Sequence, residues 1–168
     1  MKITLYMAQT VNGYAAKEDG DAPWSNAVWD TYYKLAREFD SIILGRKSYE
    51  IMETVDELGK IGNPFTVVLS RKNMVDRNNV VFVKSVEEAI LVLNKKGFKR
   101  PFIGGGGEIA SAFMKKGLIE KLIIDVEPLV FGKGIKIFAD GDFEVKLELL
   151  ETRKLSKNTI QLWYKVKS

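Results

Sequence analysis

Polar and apolar residues follow two kinds of pattern along this chain, and each kind indicates one type of secondary structure. Alternating or continuous apolar residues predict strands over residues 2–11, 41–44, 65–69, 80–83, 121–126, 143–152 and 159–166. Apolar residues at helical spacing predict helices over residues 25–39, 46–52, 85–96 and about 109–116. Strands that alternate with helices need crossover connections, so we expect an α/β domain with a mixed, mostly parallel central sheet and helices on both faces. The last two strands are adjacent in the chain, which favours an antiparallel C-terminal pair.

Serines and glycines mark some of the predicted helix ends. Ser25 and Ser85 are the predicted N-caps of the first and third helices, and Glu88 completes a capping box after Ser85. Gly97 is the predicted C-terminal stop of the third helix. Residues 14–25 lack a clear period, so we expect a loop there.

The segment from Pro101 to Gly117 carries the strongest sign of a ligand site. Its apolar run, Phe102 and Ile103, stops at four consecutive glycines, residues 104–107, before an amphipathic segment. Glycines between a strand and a helix let a ligand approach the bare backbone, and the N–H groups at the helix start attract anions. A tight turn without a ligand is the alternative, but four glycines lose conformational entropy with no packing in return. We therefore favour a site for a phosphate or pyrophosphate.

Three predicted strands end in segments that can bind anions. The strand over residues 41–44 runs into Gly45-Arg46-Lys47-Ser48, and the strand over 65–69 runs into Ser70-Arg71-Lys72. The third is the short strand Phe102-Ile103, which runs into the four glycines. Ligands of open parallel sheets lie beyond the carboxyl ends of the strands, so these three turns would converge on one crevice. The two arginines suit a phosphate monoester, because a planar guanidinium binds it with two hydrogen bonds.

Composition narrows the chemistry that such a site could perform. The 168 residues are enough for a core of their own, and we interpret residues 1–168 as one domain. The chain has no cysteine and no histidine, which excludes thiol nucleophiles, Ser-His-Asp chemistry and most transition-metal sites. We expect no bound metal, so Asp, Glu, Tyr, Lys or a cofactor must handle protons.

Charge and hydropathy bear on the partners of the protein. The net charge is only +4, and positive residues alternate with acidic ones along most of the chain, which indicates a solvated surface rather than a nucleic-acid interface. No apolar run is long enough to span a bilayer, and the N-terminus has no signal-peptide pattern. We therefore expect a cytoplasmic protein with a small-molecule substrate and no nucleic-acid or membrane partner.

One motif suggests a different nucleotide-binding fold. Gly105, Gly107 and Ala110 match G-x-G-x-x-A, and Asp125 stands where a dinucleotide-binding unit has its acidic residue. The chain beyond these glycines predicts one helix and then strands, not another βαβ unit, so a full Rossmann domain is excluded. The chain also lacks the G-x-x-x-x-G-K-[ST] motif of P-loop proteins.

Several segments occur together, and in the same order, in dihydrofolate reductases, which the chain resembles over nearly its whole length. These segments are Ala8, Pro23-Trp24, residues 44–50 (LGRKSYE), Leu69-Ser70-Arg71 and Ile103-Gly104-Gly105-Gly106. The C-terminal third instead resembles the reductase domain of the bifunctional riboflavin-biosynthesis deaminase–reductase, through residues 127–134 (EPLVFGKG) and Ile137-Phe138. The resemblance implies a dihydrofolate reductase-like three-layer fold and NADPH as the hydride donor.

The resemblance also implies which residues hold NADPH. Arg46, Lys47 and Ser48 would bind the 2′-phosphate and the pyrophosphate. Ser70 and Arg71 would flank the adenosine phosphate. Further contacts, on the pyrophosphate and nicotinamide sides, would come from Ala8, Gly45, Gly104, Gly105, Gly106, Gly107, Glu108 and Ile109. The cationic cluster favours NADPH over NADH.

The substrate side departs from dihydrofolate reductases. Their pterin-binding acid would fall at Trp29, with Asp30 one residue away, and Asp30 can also pair with Lys34 on the polar face of its helix. Asp125 and Glu127 share one strand face, so they could reach the pocket or form an exposed strand end. The candidate proton donors are Asp125, Asp30 and water. Substrate contacts are expected from Asn12, Trp24, Trp29, Ile51, Met52 and Glu127.

Together these features predict an NADPH-dependent reductase that transfers a hydride to a C=N bond or a ribosyl carbon. The riboflavin-pathway branch implies 5-amino-6-(5-phosphoribosylamino)uracil as the substrate. Two alternatives stay open: a dihydrofolate reductase acting on 7,8-dihydrofolate, and a dimeric nucleotide-binding module without turnover. The long C-terminal strands could pair between subunits, and the resemblance also suggests a homodimer.

Overall fold

Strands and helices alternate, as expected, in the computed structural model, which describes residues 1–167. The elements are β1 (Ile3–Thr10), β2 (Tyr14–Ala16), α1 (Asn26–Ala36), β3 (Ser41–Gly45), α2 (Arg46–Thr54), α3 (Glu57–Lys60), β4 (Phe65–Leu69), β5 (Val80–Val83), α4 (Val86–Lys96), β6 (Pro101–Gly105), α5 (Gly107–Lys115), β7 (Ile119–Glu127), β8 (Ile135–Lys136), β9 (Leu147–Lys154) and β10 (Ile160–Val166). None of the helices within this described range is long and apolar enough for a bilayer span.

The central sheet has eight strands in the order β5-β4-β3-β6-β1-β7-β10-β9. Parallel ladders connect all neighbours from β5 to β7, and antiparallel ladders join β10 to β7 and to β9. Within this eight-stranded sheet, as described over residues 1–167, only β10 therefore runs antiparallel to the other strands. The mostly parallel sheet and the antiparallel C-terminal pair are confirmed. The short strands β2 and β8 form a separate antiparallel ladder.

Helices cover both faces of the sheet, which gives the expected three layers. On one face, Leu93 of α4 and Phe113 of α5 pack with Ile103 in the larger apolar cluster. On the other face, α1 and α2 contribute Leu35 and Tyr49 to a second cluster. Because both faces are covered, β3, β4 and β6 read as continuous apolar runs rather than as alternating ones.

Several elements differ from the predictions. Helix α1 ends at Ala36 rather than at residue 39, β7 spans Ile119–Glu127 rather than 121–126, and the short elements α3 and β8 were not predicted. Strand β2 lies within residues 14–25, where we expected a loop, and is too short for a periodic pattern to indicate it. Strand β9 begins at Leu147 rather than at residue 143. The reason is that Phe143 and Val145 pack half-buried against the larger apolar cluster, with Phe143 beside Phe138, instead of joining the ladder.

The two predicted serine caps have different contacts. Ser85 Oγ accepts the Glu88 N–H at 3.1 Å, as predicted, and Gly97 ends α4 with a φ of 81°. Ser25 precedes α1 in the N-cap position, but its hydroxyl donates to Glu127 Oε1 at 2.5 Å and accepts no N–H of the first turn. The prediction that the Ser25 side chain caps its helix is therefore wrong, because the contact with β7 takes the hydroxyl.

Candidate active site

A cavity of about 200 Å³ lies at the carboxyl ends of β1, β6 and β7, on the face that α1 and α2 cover. Its sheet side is formed by Ala8, the glycines of residues 104–107 and Asp125. Its helix side contains Val28, Trp29, Tyr32, Ser48, Ile51 and Met52. This is the edge of a parallel sheet where ligands of α/β proteins bind, and where the sequence places the site.

The four glycines form a strand-to-helix junction rather than a loop. Strand β6 continues through Gly105, and α5 begins at Gly107. Gly106, between them, has a φ of 101°, a conformation that residues with a Cβ rarely adopt. A single left-handed residue thus makes the turn, and the backbone of all four glycines lines the cavity.

Packing explains other glycines of this junction. A Cβ on Gly105 would lie 2.9 Å from the Ser48 side chain, and one on Gly107 would lie 2.5 Å from the carbonyl oxygen of Lys136. Our expectation that these glycines bring no packing in return is therefore wrong: the close approach of β6 and α5 to their neighbours requires them. The bare backbone remains open to a ligand on the cavity side.

The strand ends that the sequence predicts to converge lie side by side. Strand β3 lies between β4 and β6, and Gly45 is the ladder partner of Leu69. A Cβ on Gly106 would lie 3.5 Å from the Cα atom of Gly45, so the β3 and β6 ends also touch. Arg46 and Ser70 therefore follow adjacent strand ends, next to the glycine junction. These segments share one edge of the sheet.

The polar side chains at this edge differ in what they contact. Arg46 donates hydrogen bonds of 2.7 and 2.9 Å to the carboxylate of Glu50. Ser70 is buried, and its hydroxyl bonds to the backbone of the following turn. Lys47 and Arg71 are exposed, and neither forms an ion pair within residues 1–167. Both cations are therefore accessible to an anionic ligand.

Several predicted site residues lie outside the cavity. Glu108 is exposed in the first turn of α5, and Ile109 packs over Gly45. Asp30 is exposed on α1, and no ion pair joins it to Lys34 in the described part of the chain. The structure does not bring Asp30 to the cavity. Over residues 1–167, no group of three or more acidic side chains is suited to a metal ion.

Two further predicted residues hold the segments around the cavity. Glu127 accepts the N–H and the hydroxyl of Ser25, at 3.1 and 2.5 Å. Asn12 donates to the Phe131 carbonyl at 2.7 Å and accepts the Phe131 N–H at 3.2 Å. Trp24 stacks on the Phe131 ring and itself lines the cavity. Asn12 and Glu127 thus fix the loop that carries Trp24, rather than lining the cavity themselves.

Asp125 is a buried acid in the cavity wall. It is 0% exposed and accepts hydrogen bonds from Gln161 Nε2 at 2.8 Å and from the Tyr6 hydroxyl at 3.3 Å. Trp163 Nε1 donates to Gln161 Oε1 at 2.6 Å, which turns the amide N–H groups of Gln161 toward Asp125. A chain of hydrogen bonds across β10, β7 and β1 therefore sets the orientation of the carboxyl group.

The surroundings of Asp125 change its protonation. Burial raises the pKa of Asp125 to about 6, while the hydrogen bonds from Gln161 and Tyr6 oppose the rise. Burial, and then the Asp125 charge, raise the pKa of Tyr6, so the Tyr6 hydroxyl stays a donor. A carboxyl group with a pKa near neutral pH can hold a proton and release it to a bound molecule.

Three polar residues of the cavity wall escaped the sequence analysis: Tyr6, Tyr32 and Glu57. Tyr6 alternates in β1 with apolar residues, which suggests an outward face, but the second helical layer buries it completely. Tyr32 belongs to the apolar face of α1, a signal that indicates core packing as readily as a ligand site. Glu57 lies in a segment without a periodic pattern, and no signal in the sequence identifies it.

Sequence comparisons agree with this geometry. The sequence model of the RibD C-terminal domain matches residues 1–161. The chain is 29% identical over 169 residues to the uncharacterized protein YwjB of Bacillus subtilis, and the match covers 97% of both chains. It is also 29% identical over 154 residues to the riboflavin biosynthesis protein RibD of Corynebacterium ammoniagenes, a match that covers 82% of this chain and 46% of that protein.

Solved structures with the same fold extend these comparisons. A putative riboflavin biosynthesis protein from Shewanella sp. PV-4 superposes with a TM-score of 0.85 at 24% identity, over 100% of both chains. Dihydrofolate reductase from Enterococcus faecalis, complexed with NADP(H) and RAB-propyl, gives 0.76 at 22% identity, over 99% of this chain and 97% of that one. These likenesses confirm the dihydrofolate reductase-like fold. With the family match over residues 1–161, they lead to one conclusion: the chain belongs to the RibD C-terminal domain family.

Proposed function

We propose that this protein is an NADPH-dependent reductase of the riboflavin-pathway type. The observation that carries the proposal is one cavity that is lined both by the glycines of residues 104–107 and by the buried acid Asp125. Membership of the RibD C-terminal domain family, and a relative named as a riboflavin biosynthesis protein, support the reaction class. The substrate is a small heterocycle of the pyrimidine or pterin type.

The residues around the glycine junction fit a nicotinamide dinucleotide. Bare glycine backbone allows close approach of a pyrophosphate, and the first N–H groups of α5 have no partner within the helix. Ser48 lines the cavity beside Gly105, while Lys47 and Arg71 offer positive charge for a 2′-phosphate. The bound cofactor supplies the hydride. A dihydrofolate reductase of the same fold is complexed with NADP(H).

Asp125 holds the proton that the reduced substrate takes up. Asp125 lines the cavity, and burial keeps a fraction of its carboxyl groups protonated near neutral pH. Tyr6 and Gln161 fix its direction through their hydrogen bonds. Asp30, the second candidate donor from the sequence, is exposed and outside the cavity, so we assign the proton to Asp125.

Two substrates should be tested in a fixed order. The aminopyrimidine 5-amino-6-(5-phosphoribosylamino)uracil comes first, because the family match covers nearly the whole chain. Dihydrofolate comes second, since Trp29 rather than an acid lines the cavity at the place where dihydrofolate reductases carry their pterin-binding carboxylate. A nucleotide-binding module without turnover would bind NADPH and reduce neither compound.

We also propose that the protein works as a cytoplasmic homodimer. Strand β9 lies at the edge of the sheet, and no strand within residues 1–167 pairs with its outer side. It exposes Leu147, Leu149 and Leu150. A long edge strand with exposed apolar side chains favours pairing with a second chain.

The cofactor assignment is tested by fluorescence titration of the purified protein with NADPH and, in parallel, with NADH. We expect NADPH to bind more tightly, because only NADPH carries the 2′-phosphate. Lys47→Ala or Arg71→Ala should weaken NADPH binding by about tenfold, the effect of losing one charge-assisted hydrogen bond. The same substitutions should change NADH binding little.

Lys95→Ala provides the matched control, since Lys95 is an exposed cation in the last turn of α4. It precedes the amino end of β6 and is therefore away from the carboxyl ends of the strands, where the nucleotide is expected to bind. The substitution removes the same charge and should leave both affinities unchanged. Absence of binding by either nucleotide would overturn the cofactor assignment. Equal losses in all three variants would show that net charge, and not a local phosphate site, governs the affinity.

A further inference from the structure

A second carboxylate in the cavity wall, Glu57, plays no part in the reaction proposed above. Glu57 is 6% exposed, and its Oε1 atom has no hydrogen-bond partner among the described residues. Its Oε2 atom lies 3.3 Å from Lys60 Nζ, on a side chain that is 47% exposed. Buried carboxylates are normally hydrogen-bonded through both oxygens, because burial of an unpaired charge is unfavourable. The Oε1 atom is therefore an acceptor without a partner, on a residue that lines the cavity.

The residue before Glu57 has an uncommon backbone conformation. Asp56 has a φ of 51° and a ψ of 38°, a left-handed conformation that is uncommon outside glycine. Its N–H donates to the carbonyl of Glu53, and its carbonyl accepts the N–H of Lys60, so both sides of the turn are fixed. Conformations of this kind occur often at ligand sites, where the surrounding structure maintains them.

The surroundings of Glu57 define the chemistry that it can recognise. The charged side chains in the cavity wall are Glu57 and Asp125, and no lysine or arginine lines it within residues 1–167. Trp29 and Tyr32 form an aromatic surface beside Glu57, with an edge-to-face contact at 6.1 Å between ring centroids. Aromatic faces next to a carboxylate favour cationic groups and groups rich in N–H donors. A phosphate or carboxylate at this end of the cavity would be repelled.

The two tyrosines near Glu57 carry no charge, and the nearest cation is Lys60. Burial, and next the Glu57 carboxylate, raise the pKa of both Tyr32 and Tyr33, so both stay neutral phenols. The Lys60 ammonium also lies 5.8 Å above the Tyr33 ring, at the solvent side of Glu57. The positive charge near Glu57 is thus on a side chain that is 47% exposed, and Lys60 does not line the cavity.

We propose that Glu57 is a specificity-determining residue that accepts N–H bonds from an amino or amidino group of the substrate. This inference rests on the proposed function in one respect, namely that the cavity is the substrate site. It narrows the substrate to heterocycles that present an amine or amidine, and not a phosphate, toward α3. The catalytic proton remains with Asp125.

The test is calorimetric titration of the full chain with three compounds of one shape and different charge: benzamidine, benzamide and benzoate. Wild-type protein should bind benzamidine at least about tenfold more tightly than benzamide, and benzoate most weakly, because a charged hydrogen bond to a carboxylate contributes about that factor. Glu57→Gln should remove the difference between benzamidine and benzamide. Glu53→Gln, an exposed glutamate paired with Arg77, is the matched control and should retain it.

Asp125→Asn separates the two carboxyl groups of the cavity. If Glu57 is the residue that binds the amidine, Asp125→Asn still binds benzamidine more tightly than benzamide. A preference that persists in Glu57→Gln, or that disappears in Asp125→Asn alone, would overturn the assignment to Glu57. So would a wild-type protein that binds benzamide or benzoate as well as benzamidine.

A stability measurement distinguishes recognition from a structural role. If Glu57 is kept for a ligand, Glu57→Gln removes a buried carboxylate whose Oε1 atom has no partner and should raise the melting temperature by about 2–4 °C without ligand. If the Glu57–Lys60 ion pair is structural instead, the melting temperature should fall, and the proposal fails. NADPH titration of the same samples keeps the two proposals apart. A wild-type protein that does not bind NADPH would contradict the proposed reductase function. A wild-type protein that binds NADPH but does not prefer benzamidine to benzamide would contradict only the Glu57 subsite.

Discussion

At the scale of single residues, position and hydrogen-bond partners separate two acids that the sequence cannot tell apart. Asp125 and Glu127 lie two residues apart on the same face of β7, and both are buried. Glu127 is occupied by the N–H and hydroxyl of Ser25, whereas Asp125 faces the cavity. The strand period predicts the shared face, and only the packing of α1 against β7 decides which acid is free to act on a ligand.

The pH dependence of turnover follows from the raised pKa of Asp125. Its pKa is raised from 3.8 to about 6, so the carboxyl group loses its proton as the pH rises through that value. If the protonated form is the donor, kcat/KM should fall about tenfold per pH unit above the pKa. Asp125→Asn should lower turnover by about 10²–10⁴-fold and flatten the profile, with NADPH affinity unchanged.

Gln161→Met tests the same assignment through a neighbour. Gln161 donates to the Asp125 carboxylate and thereby lowers its pKa, so loss of this donor should move the inflection of the profile to higher pH. If Gln161→Met does not move the inflection of the pH profile, or if Asp125→Asn keeps the same pH dependence, another group supplies the proton.

At the scale of elements, the junction between β6 and α5 shows how one sequence signal can have two physical causes. Four consecutive glycines predict a phosphate-binding turn, and the junction does line the cavity. Yet Gly105 and Gly107 are also required by contacts with Ser48 and Lys136, which no local pattern reveals. Contacts between residues far apart in the chain decide how much of a glycine-rich segment serves packing rather than a ligand.

Gly107→Ala isolates this packing. The added Cβ would lie 2.5 Å from the Lys136 carbonyl oxygen and 3.3 Å from the Ala139 nitrogen, both backbone atoms. Because the backbone must shift to make room, we expect the free energy of unfolding, measured in urea, to fall by about 1–3 kcal/mol.

Gly132→Ala is the matched control, since no atom lies within 4 Å of its added Cβ and its φ is not left-handed. This change should be neutral or stabilise the protein by up to about 1 kcal/mol, because alanine restricts the unfolded chain. Equal effects at the two positions would contradict the packing explanation.

At the scale of the whole molecule, the order of the strands sets both the site and the free edge. The outward steps from β3 to β5 and the return to β6 bring the ends of β3, β4 and β6 together. The antiparallel pair β10-β9 extends the sheet on the other side and leaves β9 as its edge. Leu149 is 55% exposed there.

A homodimer that pairs through β9 should dissociate when its edge carries a charge. Leu149→Glu should convert a dimer to a monomer in light scattering coupled to size-exclusion chromatography, since a buried unpaired carboxylate is unfavourable. Leu91→Glu, at a site 66% exposed on α4, is the control and should leave the mass unchanged. A monomeric wild-type protein, or a dimer in both variants, would show that β9 is not the interface.

The sequence by itself determined the fold class, most element positions and the edge of the sheet where ligands bind. These features depend on local properties: the period of apolar residues, the glycine stops and the charged residues directly after strands. A period of two or of 3.6 residues is visible without any knowledge of distant contacts, which is why β4 and β5 have the predicted bounds.

Only the tertiary structure decided which side chains meet in the cavity. Asp30 and Asp125 are comparable candidates in the sequence, but one is exposed on α1 and the other is buried beside Tyr6 and Gln161. Glu57 has no sequence signal at all, and it reaches the cavity because a left-handed turn and the packing of α2 place it there. Burial and proximity are sums over contacts between distant segments, and those sums set the pKa values and the free acceptors on which the chemistry depends.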